Sequence, residues 1–424
     1  MPSLGLKKNF GQFTLLVIIN AFVGGMIGME RSILPEIAEQ EFHIFDKSII
    51  LSFIIVFGVS KAIANYFTGV LANRFGRKKL LIIGWLLSAP VPFIFMYANN
   101  WNWIVFANFL MGIHQGFAWS STVVMKMDLV AEKERGLAMG LNEFAGYLAV
   151  ACVAYFTAWV AAKFGLRPYP FYIGIGLILL GLAGTIFFIK ETLFHSHAEA
   201  KESVVPKMKN IFLETTFVNK NLSSVTQAGL VNNLNDGMIW GLLPMLLALK
   251  KFSLQDIGII TAVYPAVWGI AQLFTGKLSD IFGRKPLLFT GMFLQGIIIV
   301  MINYAENYFQ FFILSFFLGI GTALVYPTFL ASIADNTHPS QRAESVGVFR
   351  LWRDGGYAIG ALLTGILAEI FNIELGDLAA IPRNKLIMPL PNIQIQKKLL
   401  EKIENYLAKN TNLDRGDLRL TKAA

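Results

Sequence analysis

Apolar residues in this chain gather into runs of about 20, the length a helix needs to cross about 30 Å of hydrocarbon. Phe13 to Met29, Ile49 to Ala72, Leu80 to Ala98 and Phe171 to Ile189 are four of them. Each is a candidate spanning helix, which restricts the fold to an all-α polytopic membrane protein. Composition agrees: the chain is 55% hydrophobic and only 15% charged, with 36 Phe, whereas a soluble protein of this length needs far more polar surface to cover its core. The first run follows Lys7 and Lys8 but is too long for a signal-peptide core and lacks a small-residue cleavage site before Glu30, so it is expected to remain in the mature chain.

Eleven spans can be drawn, at about 11–34, 48–72, 79–98, 102–127, 136–163, 169–190, 221–249, 255–280, 286–304, 308–334 and 343–371. The turn at 73–79 carries Arg74, Arg77, Lys78 and Lys79, while the connection around 35–47 is rich in Glu36, Glu39, Glu41 and Asp46. The positive-inside rule therefore puts the N-terminus and the turns at 73–79 and 281–285 in the cytoplasm of a plasma or bacterial inner membrane. The net charge of +9 follows from this topology. No basic stripe interleaved with aromatics points to nucleic acid. Cys152 is the only cysteine, which excludes a disulfide framework or thiolate cluster. A mixed-charge stretch at 191–220 separates an N-terminal bundle, 1–190, from a C-terminal one, 221–371, and a polar tail occupies 372–424.

The chain repeats itself. "FTGVLANRFGRKK" begins at Phe67 and "FTGKLSDIFGRKP" at Phe274, an offset of 274 − 67 = 207. The same offset matches Gly112 with Gly319, Asp128 with Asp335, Arg135 with Arg342 and Gly140 with Gly347. Two copies of a six-helix-type design, pseudo-symmetric about an axis along the membrane normal, enclose a central cavity. In both turns a glycine, Gly76 or Gly283, lets the backbone reverse, and the arginine that follows, Arg77 or Arg284, can reach the acid at the inner end of span four or ten, Asp128 or Asp335.

These residues resemble the major facilitator superfamily, whose signature between helices two and three is approximately G-x-L-x-D-x-x-G-R-K. It stands here as Gly69-Val-Leu71-Ala-Asn73-Arg74-Phe75-Gly76-Arg77-Lys78 and again as Gly276-Lys-Leu278-Ser-Asp280-Ile-Phe282-Gly283-Arg284-Lys285. The resemblance implies a twelve-helix transporter whose spans three, six, nine and twelve face lipid, and a charged network that latches the cytoplasmic side when the protein faces outward. Asn73 stands where the family has aspartate, so the first latch is expected to be weaker than the one built on Asp280. An amide can still accept a hydrogen bond from helix-end N–H groups but lacks the charge that strengthens it. Span four lacks the family's usual arginine, with Gly112 ahead of "HQG", and span five lacks the Gly-Pro-rich signature of drug antiporters.

Ionisable groups within spans are costly enough to mark function by default. Span one offers Glu30 and Arg31, span two Lys61, span four His114, span five Glu143, span seven Asp236, and span eleven Arg350, Arg353 and Asp354. Competing structural readings exist: Glu30 and Arg31 as a solvated start of the first loop, Asp354 as the counter-ion of Arg350 or Arg353, and His114 as a packing group. Glu143, Asp236 and Asp354 are candidate proton carriers. Arg350 and Arg353 are candidate anchors for an anionic group. Glu143 pairs with Arg350 by the 207 offset and with Arg353 by a Gly-Tyr register, and the sequence does not choose. His114, Gln115, Trp119, Asn232, Asn233, Trp268, Tyr326 and Tyr357 complete the expected substrate lining, with Trp240 and Tyr264 on the same helices.

The expected function is secondary active transport of a small organic molecule, drug or metabolite, by alternating access and with protons as the coupling ion. Uncoupled uptake of an organic anion is the runner-up, and a non-transporting receptor or scaffold is disfavoured. No Ser-His-Asp set, metal-ligand spacing or phosphate loop calls for catalysis, a metal or a cofactor. Beyond Phe371 no apolar run approaches 20 residues, so no twelfth helix is expected. Ile395, Leu399, Ile403 and Leu407 predict an amphipathic helix over 394–408, on the outer side if eleven spans follow a cytoplasmic N-terminus. The flank of spans ten and eleven left bare would favour weak self-association of an otherwise monomeric protein.

Overall fold

The computed structural model describes residues 4–31, 33–44 and 47–370. The expected amphipathic helix and the sidedness of the tail lie outside the described residues. Among the described residues fifteen α-helices follow in order: α1 (Phe10–Arg31), α2 (Leu34–Gln40), α3 (Lys47–Phe75), α4 (Arg77–Ser88), α5 (Val91–Tyr97), α6 (Trp101–Leu129), α7 (Arg135–Phe164), α8 (Tyr172–Phe188), α9 (Leu193–Glu202), α10 (Ile211–Leu213), α11 (Lys220–Leu249), α12 (Leu254–Phe282), α13 (Arg284–Ile302), α14 (Tyr308–Asp335) and α15 (Arg342–Ile370). The eleven drawn spans correspond to the long helices, the third being split into α4 and α5 around Pro90. Among the described residues, eight segments are long and apolar enough to cross a membrane on length and composition alone. The other long helices are α6, α11 and α15, which carry Lys126, Asp236, Arg350, Arg353 and Asp354 as buried side chains. Their polar groups dilute the hydropathy, and neighbouring helices shield them from lipid.

Local sequence sets the ends of the helices. Asn100, Ser253 and Asn307 cap α6, α12 and α14 by accepting the N–H of Trp103, Asp256 and Gln310, which satisfies donors a helix start otherwise leaves open. Gly76 and Gly283 precede α4 and α13 at φ 85° and 88°, a left-handed conformation that strains any residue with a Cβ.

Within the first half α1 packs on α7 and α3 on α6. In the second half α11 packs on α15 and α12 on α14, the arrangement that the 207-residue offset maps from the first. The halves meet where α3 lies along α15 and α7 along α12. Among the described residues, the glycine-mediated backbone approaches between halves all fall toward the end bearing the repeated turns: a Cβ on Gly69 would meet the Ala343 carbonyl oxygen at 2.6 Å, and Gly136 and Gly276 sit backbone to backbone. The molecule is therefore closed at this turn end. Helices α4, α8 and α13 expose Leu86, Leu179, Phe187, Phe289 and Phe293, as a lipid-facing flank requires.

Candidate functional site

Midway along α15, Arg353 forks onto Asp354, donating from Nε at 3.0 Å and from Nη2 at 2.9 Å. The other oxygen of Asp354 accepts from Asn65 of α3 at 2.6 Å and lies 3.9 Å from the Lys61 ammonium. Asn65 accepts in turn from Ser120 of α6 at 2.6 Å, and the Ser120 hydroxyl accepts from Arg350 at 3.0 Å. Arg350 faces Glu143 of α7 at 3.6 Å, with side chains 0% and 1% exposed. The ion pair that Glu143 makes is with Arg350, while Arg353 is held by Asp354. Asn142 and Trp119 donate to the same Glu143 oxygen at 2.7 and 3.3 Å. The chain of contacts crosses between halves three times, at Asn65–Asp354, Ser120–Arg350 and Glu143–Arg350, so charge at one station is felt on both.

An aromatic wall adjoins it. The Arg353 guanidinium lies 4.7 Å from the Tyr326 ring centre, the Tyr326 and Tyr147 hydroxyls are 3.0 Å apart, and Trp268 packs against both rings at 4.8 and 4.4 Å. Trp268 stacks on Tyr264 at 6.2 Å. Tyr264 hydrogen-bonds Asp236 of α11, whose second oxygen accepts from Asn232 at 3.3 Å. Asn233 accepts from Asn232 at 3.4 Å. Tyr357 lies one turn beyond Arg353, half-buried.

Two expected lining residues do not join this cluster. His114 holds the Gly84 carbonyl at 2.9 Å and packs on Trp85, and Gln115 donates to the Val23 carbonyl at 2.7 Å. Both face inward within the first half, because consecutive residues on a helix point about 100° apart and this pair is claimed by α4 and α1. Glu30 is buried, not solvated at a headgroup level. Conversely, Asn65, Ser120 and Tyr147 were missed, being polar residues too ordinary to stand out in a span. Lys126, fully buried with its ammonium on the Leu16 carbonyl at 3.1 Å, was missed because its place near the end of α6 suggests a lysine that reaches water.

The arginines of the repeated turns meet acids at the turn end. Arg77 donates to Asp128 at 3.1 Å with both side chains fully buried, and Thr192 donates to the same oxygen at 2.9 Å. Arg284 bonds Asp335 at 2.8 Å and Asp280 at 2.7 Å. Asp280 also accepts the N–H groups of Gly136 and Leu137 at 2.8 and 2.9 Å, so a carboxylate of one half caps the N-terminus of α7 in the other. Asn73 does something different: it donates to the Ser340 carbonyl at 2.7 Å, and its Oδ1 is buried without a donor. The expected acceptance from helix-end N–H groups is not made.

A bridge that was not expected joins these latches. Glu199 of α9 accepts from Arg135 at 2.6 Å and from Arg342 at 2.8 and 2.6 Å. Those arginines begin α7 and α15, one in each half, and Arg135 crosses to Asp335 at 2.8 Å. Burial works against the Glu199 charge, but Arg342 and Arg135 outweigh it and hold the carboxyl below its ordinary range. The matched arginines at the 207-residue offset were the available signal, since each needed an acid.

A family model described as Major Facilitator Superfamily matches residues 15–224 and 225–376. The proton-coupled antiporter flippase LtaA of Staphylococcus haemolyticus is 24% identical over 388 residues, 88% of this chain and 90% of that protein. The multidrug resistance protein MdtG of Citrobacter koseri is 25% identical over 323 residues, 74% of this chain and 76% of its own. The crystal structure of the human organic anion transporter MFSD10 superposes with a TM-score of 0.69 at 15% identity, covering 88% of this chain and 95% of that one. FucP in its outward conformation gives 0.67 at 13%, covering 87% and 93%.

Proposed function

Because the chain belongs to the Major Facilitator Superfamily, as a multi-pass integral membrane protein, we propose that it is a proton-coupled secondary transporter of a small organic molecule. Its halves, 1–190 and 221–371 joined by the linker 191–220, rock about the central cluster. The observation that carries this reading is the Glu143–Arg350 pair, buried at 3.6 Å between the halves. An ion pair in such surroundings survives only while both members are charged. Protonating Glu143 removes the attraction and leaves Arg350 free for an anionic group of the substrate or for a new partner. Proton occupancy and the relative position of the halves are then linked, which is what coupled transport requires.

Asp236 and Asp354 are further candidate carriers, and Arg353 a second anchor. The basic residues Arg74, Arg77, Lys78 and Lys79 put the turn end and the N-terminus in the cytoplasm, so the conformation closed at that end faces outward, held by Gly69, Asn73, Gly76, Arg77, Asp128, Gly276, Asp280, Gly283, Arg284 and Asp335. A relative named as a proton-coupled antiporter and another named for multidrug resistance support the reading. The test is accumulation in proteoliposomes: a library of metabolites and drugs is offered with and without an imposed pH gradient, and vesicle contents are read by mass spectrometry. Compounds that accumulate only with the gradient are expected. Uptake of organic anions indifferent to the gradient would favour an uncoupled facilitator instead.

A further inference from the structure

Charge within the central region is segregated. The cluster between the halves holds Lys61, Arg350 and Arg353 against Glu143 and Asp354, a surplus of one cation. Lys61 is the least engaged: among the described residues the one acid within 4.0 Å is Asp354, at 3.9 Å, and the lysine side chain is 17% exposed. Asp236, by contrast, has no cationic nitrogen within 4.0 Å among the described residues and is held by Tyr264 and Asn232 alone. Buried polar atoms stand without partners beside it and along the aromatic wall that leads from it: Asn232 Oδ1, Trp268 Nε1 and, one turn further along α12, both side-chain polar atoms of Gln272. Tyr264, Trp268 and Gln272 recur every four residues on α12 and so share one face of it. Buried polar groups are paired in folded proteins as a rule, and several open in one place mark where a ligand or ordered water completes them.

We propose that the transported molecule is a zwitterion with an aromatic or apolar body. Its ammonium sits at Asp236, its anionic group at Lys61 and Arg353, and its body along Tyr264, Trp268 and Tyr326. The stacked rings offer π-faces to the ammonium and an apolar path between the charged ends. A singly charged molecule would leave Lys61 or Asp236 uncompensated in a poorly solvated site, which is how such a site discriminates. This inference rests on the transport reading for its biological meaning, but binding can be measured without transport.

The experiment uses the purified full chain in nanodiscs and a series of aryl amino acids in which the spacer between aminomethyl and carboxylate groups lengthens stepwise. Each is compared with its truncations, the corresponding benzylamine and benzoate. At least one spacer length should bind about tenfold more tightly than both truncations. Asp236→Asn should erase the advantage over the benzoate, and Lys61→Gln the advantage over the benzylamine. No zwitterion advantage at any spacer length, or an advantage indifferent to both substitutions, overturns the inference; if a variant does not fold, the wild-type series decides alone. Proton-driven accumulation of singly charged compounds only would overturn it while leaving the transport reading intact. Zwitterion binding without any proton-driven accumulation would do the reverse.

Discussion

Replacing Glu199 by glutamine should loosen the turn end. Arg135 would keep Asp335 at 2.8 Å, but Arg342, 1% exposed, would retain only Asp128 at 3.8 Å, beyond hydrogen-bonding reach. Stranding one member of a buried ion pair costs about 3–5 kcal/mol. Glu199 is 16% exposed and glutamine keeps one acceptor oxygen, so about 2 kcal/mol is a fair expectation, equivalent to about thirtyfold in the ratio of closed to open turn ends. Spin labels at Lys79→Cys and Lys285→Cys, exposed positions in opposite halves, with the exposed Cys152 replaced by serine, report that ratio as a distance distribution in nanodiscs. The long-distance fraction should rise at pH 7. Because the Glu199 carboxyl is held below its ordinary range, its contribution is fully present above the ordinary carboxylate value of about 4.3 and disappears as pH falls through the lowered value. The substitution should therefore mimic at neutral pH what strong acid does to the wild type at this site. An unchanged distribution in the variant would refute the view of the linker as a clasp.

Other substitutions probe the same design. Asn73→Asp removes the donor that holds the Ser340 carbonyl of the other half at 2.7 Å and sets two acceptors against each other, so the closed turn end should weaken and the long-distance fraction of the labelled pair should rise; a more firmly closed turn end would contradict this. Gly276→Ala places a methyl against the Gly136 carbonyl of the other half, so the labelled pair should separate as in the Glu199 variant, and an unaffected distance would show that the backbones can yield. Arg77→Ala or Asp128→Asn alone should destabilise the protein by about 3–5 kcal/mol because each strands a fully buried charge. Arg77→Ala combined with Asp128→Asn should cost less than the sum of the two, as thermal denaturation in detergent would show; additivity would mean the pair is not energetically coupled.

Much of this architecture was legible because lipid forces apolar runs to declare themselves and the repeat reports its own symmetry. Arg77 with Asp128 and Arg284 with Asp335 followed from that symmetry alone. What was not legible depended on helix rotation and on segments without a counterpart. The sequence could say that His114 and Gln115 are polar but not that α4 and α1 claim them. Asn65 and Ser120 carry the Asp354–Arg350 relay as small neutral side chains, which a search for charges passes over. Glu199 lies in the linker, which occurs once, so the repeat could flag Arg135 and Arg342 but not the acid that joins them.

The central claim is that Glu143 links the proton to the movement of the halves, and Glu143→Gln tests it most directly. The variant and the wild type are reconstituted with a compound identified by gradient-driven accumulation, and two fluxes are followed: exchange of labelled for unlabelled compound at equal pH, and net accumulation under an imposed pH gradient. Glutamine keeps the size and hydrogen bonding of the neutral acid but cannot lose a proton, so exchange should persist while net accumulation is lost. Accumulation by the variant with the wild-type ratio of protons to substrate would contradict the account.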